Sequence, residues 1–524
     1  MQPRPDAETF GFTGPLPPPR FNMAAYAIGR PAKCWPDKAA LIVLDDPDTE
    51  RPSEVWTFAA LERATLAVAT ALRATGLAPG ARILIRLANT SDYAILFFGA
   101  IAAGYVPIPT STQLTAAEGD FLLADSGAEA MALSPDAACG PIPNGVRVIE
   151  ACEVSRMIAS AAEAGYADTA ADSPAFQIYT SGSTANPKGV LHAHRSAWGR
   201  RPMYAGWYGI DQTDRMLHAG AFNWTYTLGV GLTDPWANGA TSLVYTGEKT
   251  PEVWPRLIAR SQATIFAAVP GLYRQILKYG NPGPEDLGCL RHGLIAGETP
   301  PPGLMDEWAG RTGRQLYEAL GMSEMSTYVS SSPSVPRRDG FVGRPQPGRC
   351  VAILPVEDGT TPLPRGEEGL LALHRSDPGL MLGYWQRPRE EAEVMRGDWF
   401  LGGDLARMDA QDYVAHCGRA NDIMKAGGYR VSPCEVEAAL AGHPDIAEMA
   451  AAEIAVREGV SVIGLFIVPR DGATPQPADI LEQAATRLAH YKRPREVVLV
   501  DALPRTANGK LRRAGLQALY RPKP

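Results

Sequence analysis

This 524-residue sequence has little that would suit a secreted, nucleic-acid-binding or membrane-spanning protein. Cysteine is scarce: there are seven, at 34, 139, 152, 289, 350, 417 and 434. Seven are far too few for a disulfide scaffold in a chain of this length, and no two stand at CxxC spacing, which argues against structural zinc. Scattered cysteines suit a reducing cytosol, the expected location. Basic excess is absent too. The 50 Lys+Arg against 57 Asp+Glu give a formal charge of -7, with no basic stripe, so no nucleic-acid partner is expected. Long apolar runs are missing. The most apolar stretch, 93–109, follows Asp92, is interrupted by Gly104 and ends in prolines, so no membrane insertion is expected. The Pro-rich first 30 residues contain no apolar h-region and read as a surface wrap rather than a signal peptide. What the chain does have is 45% hydrophobic and 20% charged residues, enough for several cores.

The patterning alternates. WTFAALERATLAVATALRATG (56–76) has apolar positions three and four apart and reads as a helix stopped at Gly76. ARILIRL (81–87) reads as a strand, 92–103 as a helix, and YVPIPT as the exit of a second strand. This βαβ rhythm predicts parallel, helix-covered sheets. It continues through 176–179, 190–206, 241–245, 252–261, 263–268, 270–279 and 291–296. Around 340–420, short apolar runs separated by Gly, Pro and Asp predict a small antiparallel β unit. After Arg419, helices at 434–441 and 478–490 and strands at 460–468 and in VVLVDALP predict a small α+β lid. The expected class is therefore α/β: a large N-terminal domain over 1–420 and a mobile C-terminal lid over 421–524.

The segment Tyr179-Thr-Ser-Gly-Ser-Thr-Ala-Asn-Pro-Lys-Gly-Val190 carries the strongest chemical signal. Thr180, Ser181, Gly182, Ser183 and Thr184 are small or hydroxylated, so backbone N–H groups can approach an anion. Lys188 adds charge. The string is not a Walker A loop, because Gly189 rather than Ser/Thr follows the lysine. In ALGMSEMS (319–326), Glu324 is a lone carboxylate on a Gly-Met-Ser turn, of a type that suits Mg²⁺ beside phosphate oxygens. A serine-hydrolase elbow is a weak reading there, because Met325 replaces the second glycine.

YTSGSTANPKGV resembles the phosphate loop of the adenylate-forming superfamily: acyl- and aryl-CoA ligases, peptide-synthetase adenylation domains and luciferases. PGLYRQIL, LIAGETPPP, ALGMSEMS, FVGRPQPG, DWFLGGDLARMD, GRANDIMKAGGYRVSPCEVE and LPRTANGKLRR follow in that family's order, from about 38 to 515. The resemblance implies ATP with Mg²⁺ and coenzyme A as co-substrates of a small carboxylic acid. It places ATP/AMP at the phosphate loop, Lys188, Gly297, Glu298, Thr299, Leu320 and Gly321, with Asp404 and Arg419 at the ribose. Glu324 is the implied metal ligand, and Ser323 keeps the hydroxyl of the usual Thr. Lys510 is the implied catalytic lysine, bridging carboxylate and α-phosphate. Asn421 holds the hinge position, and Lys425, Gly427, Gly428, Tyr429 and Arg430 the pantetheine path. Two departures concern the nucleotide: Ala185 replaces a usual glycine, and Leu320 stands where many members stack an aromatic residue on adenine. His192 and His194 read as structural.

By the same resemblance the acid lies among Phe222, Asn223, Trp224, Tyr226, Ala296, Gly297 and Met322. The aromatic residues form walls, and Ala296 and Gly297 leave room for a flat or compact acid. Amino-acid-activating relatives carry Asp where this chain has Asn223, which argues against an amino acid. The expected activity is acid–CoA ligation of an aryl or short/medium-chain acid through an acyl-adenylate. Loading of a carrier protein and non-catalytic nucleotide binding stay open as alternatives, and a homodimer is one open assembly.

Overall fold

The computed structural model describes residues 10–48, 51–161, 165–180, 187–422, 424–426, 429–457, 460–505 and 511–521. Two parallel sheets form the body. The larger has nine strands; its central run, in spatial order, is Ala39–Leu44, Thr241–Tyr245, Arg215–His218, Ile265–Ala268, His292–Ala296 and Gln315–Met322, all parallel. Antiparallel strands close its edges, Glu54–Thr57 on one side and Ser326–Ser330 with Arg344–Pro345 on the other. The second sheet is Val106–Pro109, Arg82–Arg86, Ala130–Leu133 and Arg147–Glu150, again parallel.

Helices Phe58–Ala74 and Ser91–Ala103 share one apolar core with strands of both sheets. The first starts where Thr57 Oγ1 accepts the Ala60 N–H at 3.2 Å, satisfying an orphan donor. The second ends at Gly104, whose φ of 87° only glycine adopts freely. Residues 10–20 lie at the surface, and the chain then dives: Ala24, Ala27 and Ile28 are fully buried.

The β unit is confirmed as antiparallel strands Val351–Leu354, Glu368–His374, Trp399–Met408 and Val414–Arg419. The C-terminal segment has its own core. Val436, Leu440, Ile463, Leu465, Ile480 and Ala484 join helices Pro433–Ala439 and Pro477–Arg487 to strands Ile446–Arg457, Val460–Pro469 and Glu496–Leu499. No helix among the described residues is long and apolar enough to cross a membrane.

One expected continuation of the βαβ rhythm is different. Residues 190–206 do not begin a crossover. Lys188–Ala193 folds straight back, antiparallel, on Pro174–Thr180, and the pair forms a separate small sheet with Gly383–Tyr384. A 3₁₀ segment, His194–Arg200, follows.

Candidate active site

In an open parallel sheet, the strands' carboxyl ends leave a crevice lined by the following loops. Here that edge brings together the segment after His218, the turn after Ala296 and the turn between Met322 and Ser326. The strands flanking the phosphate segment, Pro174–Thr180 and Lys188–Ala193, pair antiparallel with Thr180 opposite Lys188. Lys188 Nζ stands 5.3 Å from the Tyr384 ring centroid. Ser181, Gly182, Ser183, Thr184, Ala185, Gly427, Gly428 and Lys510 lie outside the described residues, and Lys425, Tyr429 and Arg430 are described by backbone alone.

The Glu324 turn is held at several points. A Cβ on Gly321 would stand 2.4 Å from the Ser326 carbonyl oxygen, so the hairpin closes this tightly only on glycine. The Tyr384 hydroxyl donates to Glu324 Oε1 at 2.7 Å, and the Met381 N–H donates to the Glu324 carbonyl at 2.8 Å. His192 Nε2 lies 2.8 Å from the Ser323 carbonyl. Burial pushes the His192 ring down to about 4, with that carbonyl pulling the other way, so a neutral Nε2–H donates. His194 Nδ1 accepts from the Met23 N–H at 3.1 Å, so both histidines are structural, as expected. Glu324 Oε2 has no hydrogen-bond partner among the described residues, which fits an oxygen donor for Mg²⁺.

Asp404 and Arg419 pair across neighbouring antiparallel strands. Arg419 Nη1 reaches both Asp404 oxygens at 3.2 Å, and His416 Nε2 lies 3.1 Å from Oδ1. Burial alone would raise the Asp404 carboxyl; the His416 hydrogen bond and the Arg419 charge outweigh it and hold it below its ordinary value. A buried, ionised carboxylate is a strong acceptor for hydroxyl pairs. Asn421 is exposed in a single 3₁₀ turn, Ala420–Asp422.

The expected acid walls divide between cores. Trp224, Tyr226, Ala296 and Ala319 share one cluster with Trp207 and Met203. Phe222 does not join it: its ring is 2% exposed and packs 5.6 Å from Tyr93 in the helix core. Met322 does not either. Its side chain packs on the opposite cluster, and a Cβ on Gly402 would meet its Sδ and Cε at 2.5 and 2.0 Å. The reason is strand alternation, since Ala319 and Met322 stand three positions apart and face opposite ways. Nor is Gly297 open. Its φ is +101°, and a Cβ there would stand 2.8 Å from the Trp224 indole. Asn223 is half-buried, and Thr299 is exposed beyond the strand end.

Sequence reasoning did not single out Tyr384, His416, the carboxyl of Glu318 or the pair Arg200–Asp234. Burial pushes the Glu318 carboxyl up to about 8, with Arg337 pulling the other way. These residues carry no local motif; only the alternation of Glu318 with Leu320 on one strand could have drawn attention to Glu318.

The turn that carries Glu324 is thus tied through Tyr384 to the strand pair flanking the phosphate segment, and the buried carboxylate of Asp404 stands ionised on the antiparallel unit. The AMP-binding enzyme model matches residues 29–385, and the AMP-binding enzyme C-terminal domain model matches 435–510. The chain belongs to the AMP-binding enzyme family. It is similar to the benzoate–CoA ligase of Thauera aromatica, 30% identical over 518 residues that cover 96% of each chain. Its fold matches that of a benzoate CoA ligase from Burkholderia xenovorans LB400, with TM-score 0.83 and 29% identity over 95% of this chain and 100% of that one. It also matches the anthranilate CoA ligase AuaEII in complex with anthranoyl-AMP, with TM-score 0.84 and 25% identity over 96% and 98%.

Proposed function

We propose that the acid is compact, a short acyl chain or a single flat ring, and that Trp224 sets its limit. The chain is an ATP-dependent, AMP-forming acid–CoA ligase. The carboxylate attacks the α-phosphorus of ATP, pyrophosphate leaves, and the CoA thiol then displaces AMP from the acyl-adenylate. One observation carries the proposal on size: the Trp224 indole lies against Gly297, where a wider acid would have to enter. Tyr226, Trp207 and Ala319 pack behind it.

The residue roles follow the same reading. Lys188 and the hairpin tip hold the phosphates, and Asp404, ionised and oriented by His416 and Arg419, accepts the ribose hydroxyls. Glu324 is the residue that would hold the Mg²⁺ entering with ATP, which neutralises phosphate charge there. Lys510 offers its ammonium to the charge that builds between carboxylate and phosphate. The lid begins at Asn421, after a large domain over 1–420, and its pose favours adenylation. Arg505, five positions before Lys510, stands 3.5 Å from Glu298 beside the acid and nucleotide edge. Residence in the cytoplasm, and a homodimer as one assembly, belong to this reading; light scattering on a sizing column reads the second.

The test is Trp224→Ala with a panel of acids. For two-ring or eight-carbon acids, relative to benzoate, kcat/KM should rise by about 10- to 200-fold, the range that pocket-filling methylenes discriminate. An unchanged ratio places the acid elsewhere.

A further inference from the structure

The Glu324 turn contains a residue in a conformation that its side chain disfavours. Ser326 has φ +85°, in the left-handed region that residues other than glycine rarely occupy. It is the last residue of the turn and opens strand Ser326–Ser330. Its φ therefore sets the direction in which the turn leaves the sheet, and so where Glu324, two residues earlier, points. Something must hold it there.

The holder comes from far away in the chain. Arg200 Nη1 donates to Ser326 Oγ at 2.6 Å. The same guanidinium is clamped on its other edge by Asp234: Nε lies 2.8 and 3.0 Å from the two carboxylate oxygens, and Nη2 lies 2.7 Å from Oδ2. The Tyr208 hydroxyl donates to Asp234 Oδ2 at 2.7 Å. Asp234 is fully buried and Arg200 is 8% exposed. Burial works against the charged guanidinium, but the Asp234 charge outweighs it and keeps Arg200 protonated. A Cβ on Gly229 would stand 2.1 Å from Arg200 Nη2, so glycine there admits the guanidinium. Arg200 and Ser326 also line a small cavity beneath the turn with His192, Thr225 and Ser323. No phosphate, ribose or acid role falls to Arg200 or Asp234, and a buried ion pair is weak evidence for a purely stabilising purpose.

We infer that Arg200, locked by Asp234, is a positioning residue that pins Ser326 in its strained conformation and so aims Glu324 at the metal-bound phosphates. The inference rests on the reading of Glu324 as the Mg²⁺ ligand. Arginine is required for its fork: one edge meets the carboxylate while an outer N–H reaches the hydroxyl, which a lysine ammonium cannot do with the same geometry.

Ser326→Ala is the mild test, because it removes only the hydroxyl and leaves the buried pair intact. Arg200→Lys removes the fork and keeps the charge. Both should raise the Mg²⁺ concentration for half-maximal pyrophosphate release by about tenfold, the scale of one charge-assisted hydrogen bond, while KM for the acid stays unchanged. Calorimetric titration gives a readout independent of turnover. The parent should bind ATP more tightly with Mg²⁺ than without it, and Ser326→Ala should lose most of that gain. Glu324→Gln is the reference. If it shifts the Mg²⁺ dependence while Ser326→Ala does not, the positioning role is overturned and the Glu324 reading stands. Slower turnover of Ser326→Ala at unchanged Mg²⁺ dependence means general loosening and overturns it equally. If Glu324→Gln itself leaves the Mg²⁺ dependence unmoved, both fall.

Discussion

Glu448→Gln perturbs the contact between lid and large domain with the smallest change of shape. Glu448, on the lid strand Ile446–Arg457, is the middle of a chain of alternating charges. It pairs with Arg274 of the large domain at 2.6 Å and with lid Arg505 at 2.8 Å, and Arg505 reaches Glu298 of the large domain at 3.5 Å. Burial would raise the Glu448 carboxyl, but the Arg505 and Arg274 hydrogen bonds outweigh it, so the group stays ionised near neutral pH. Its side chain is 20% exposed, which places these pairs between surface and core. Of its two pairs only the one to Arg274 crosses to the large domain, and it contributes about 0.2–1 kcal/mol. That bias shifts the lid's balance between poses by about 1.4- to 5-fold. The variant should slow pyrophosphate release measured without CoA by a factor in that range. Thioester formation from supplied acyl-AMP, for which we propose a second lid pose, should be unchanged or faster. The defect should shrink in about 1 M salt, where the screening length falls to about 3 Å and the parent loses the same pairs. Arg274→Met combined with Glu448→Gln should be less than additive. Equal loss in both half-reactions, or a defect indifferent to salt, refutes the argument.

Lys510→Ala should lower acyl-AMP formation by about 10²-fold or more while sparing thioester formation, and Gly428→Leu should do the reverse; equal losses in both would end the two-pose mechanism. Glu318 has a folded pKa raised to about 8, so the fold holds its proton more tightly than the unfolded chain does, and stability falls as pH rises from the unfolded value toward 8. Thermal melts across about pH 5 to 9 should show that decline in the parent and a flatter profile in Glu318→Gln. Asp377→Ala should cost about 3–5 kcal/mol in denaturant unfolding, because it leaves the Arg349 guanidinium buried without its carboxylate. That pair stands at 2.8 Å with both side chains almost wholly buried.

The lid shows where local reading stops. IAEMAAAEIAVR (446–457) is rich in Ala, Glu and Met, which favour helix, yet it forms the longest lid strand. Pairing with Val460–Pro469 along its whole length, and burial of Ala450, Ala451 and Ile454, override that propensity. The phosphate segment gave the opposite kind of difficulty. Its family resemblance was legible in contiguous residues, but not that its second strand turns straight back instead of crossing over.

Sequence alone determined the class of fold and the family, and it proposed Lys188, Glu324, Asp404, Arg419 and Lys510 as the residues with charge to offer a nucleotide. Those functions depend on short strings in which backbone freedom, hydroxyls and one charge sit side by side, so a local text carries them. Tertiary structure decided which faces those strings present. Strand alternation turned Met322 away from the Trp224 cluster, helix packing withdrew Phe222 into the core, and Trp224 came to rest on Gly297. It also joined Arg200 and Asp234 to Ser326, 126 positions from the arginine. Contacts of that kind depend on packing between segments remote in the chain, and no local pattern of residue types encodes which remote segment arrives.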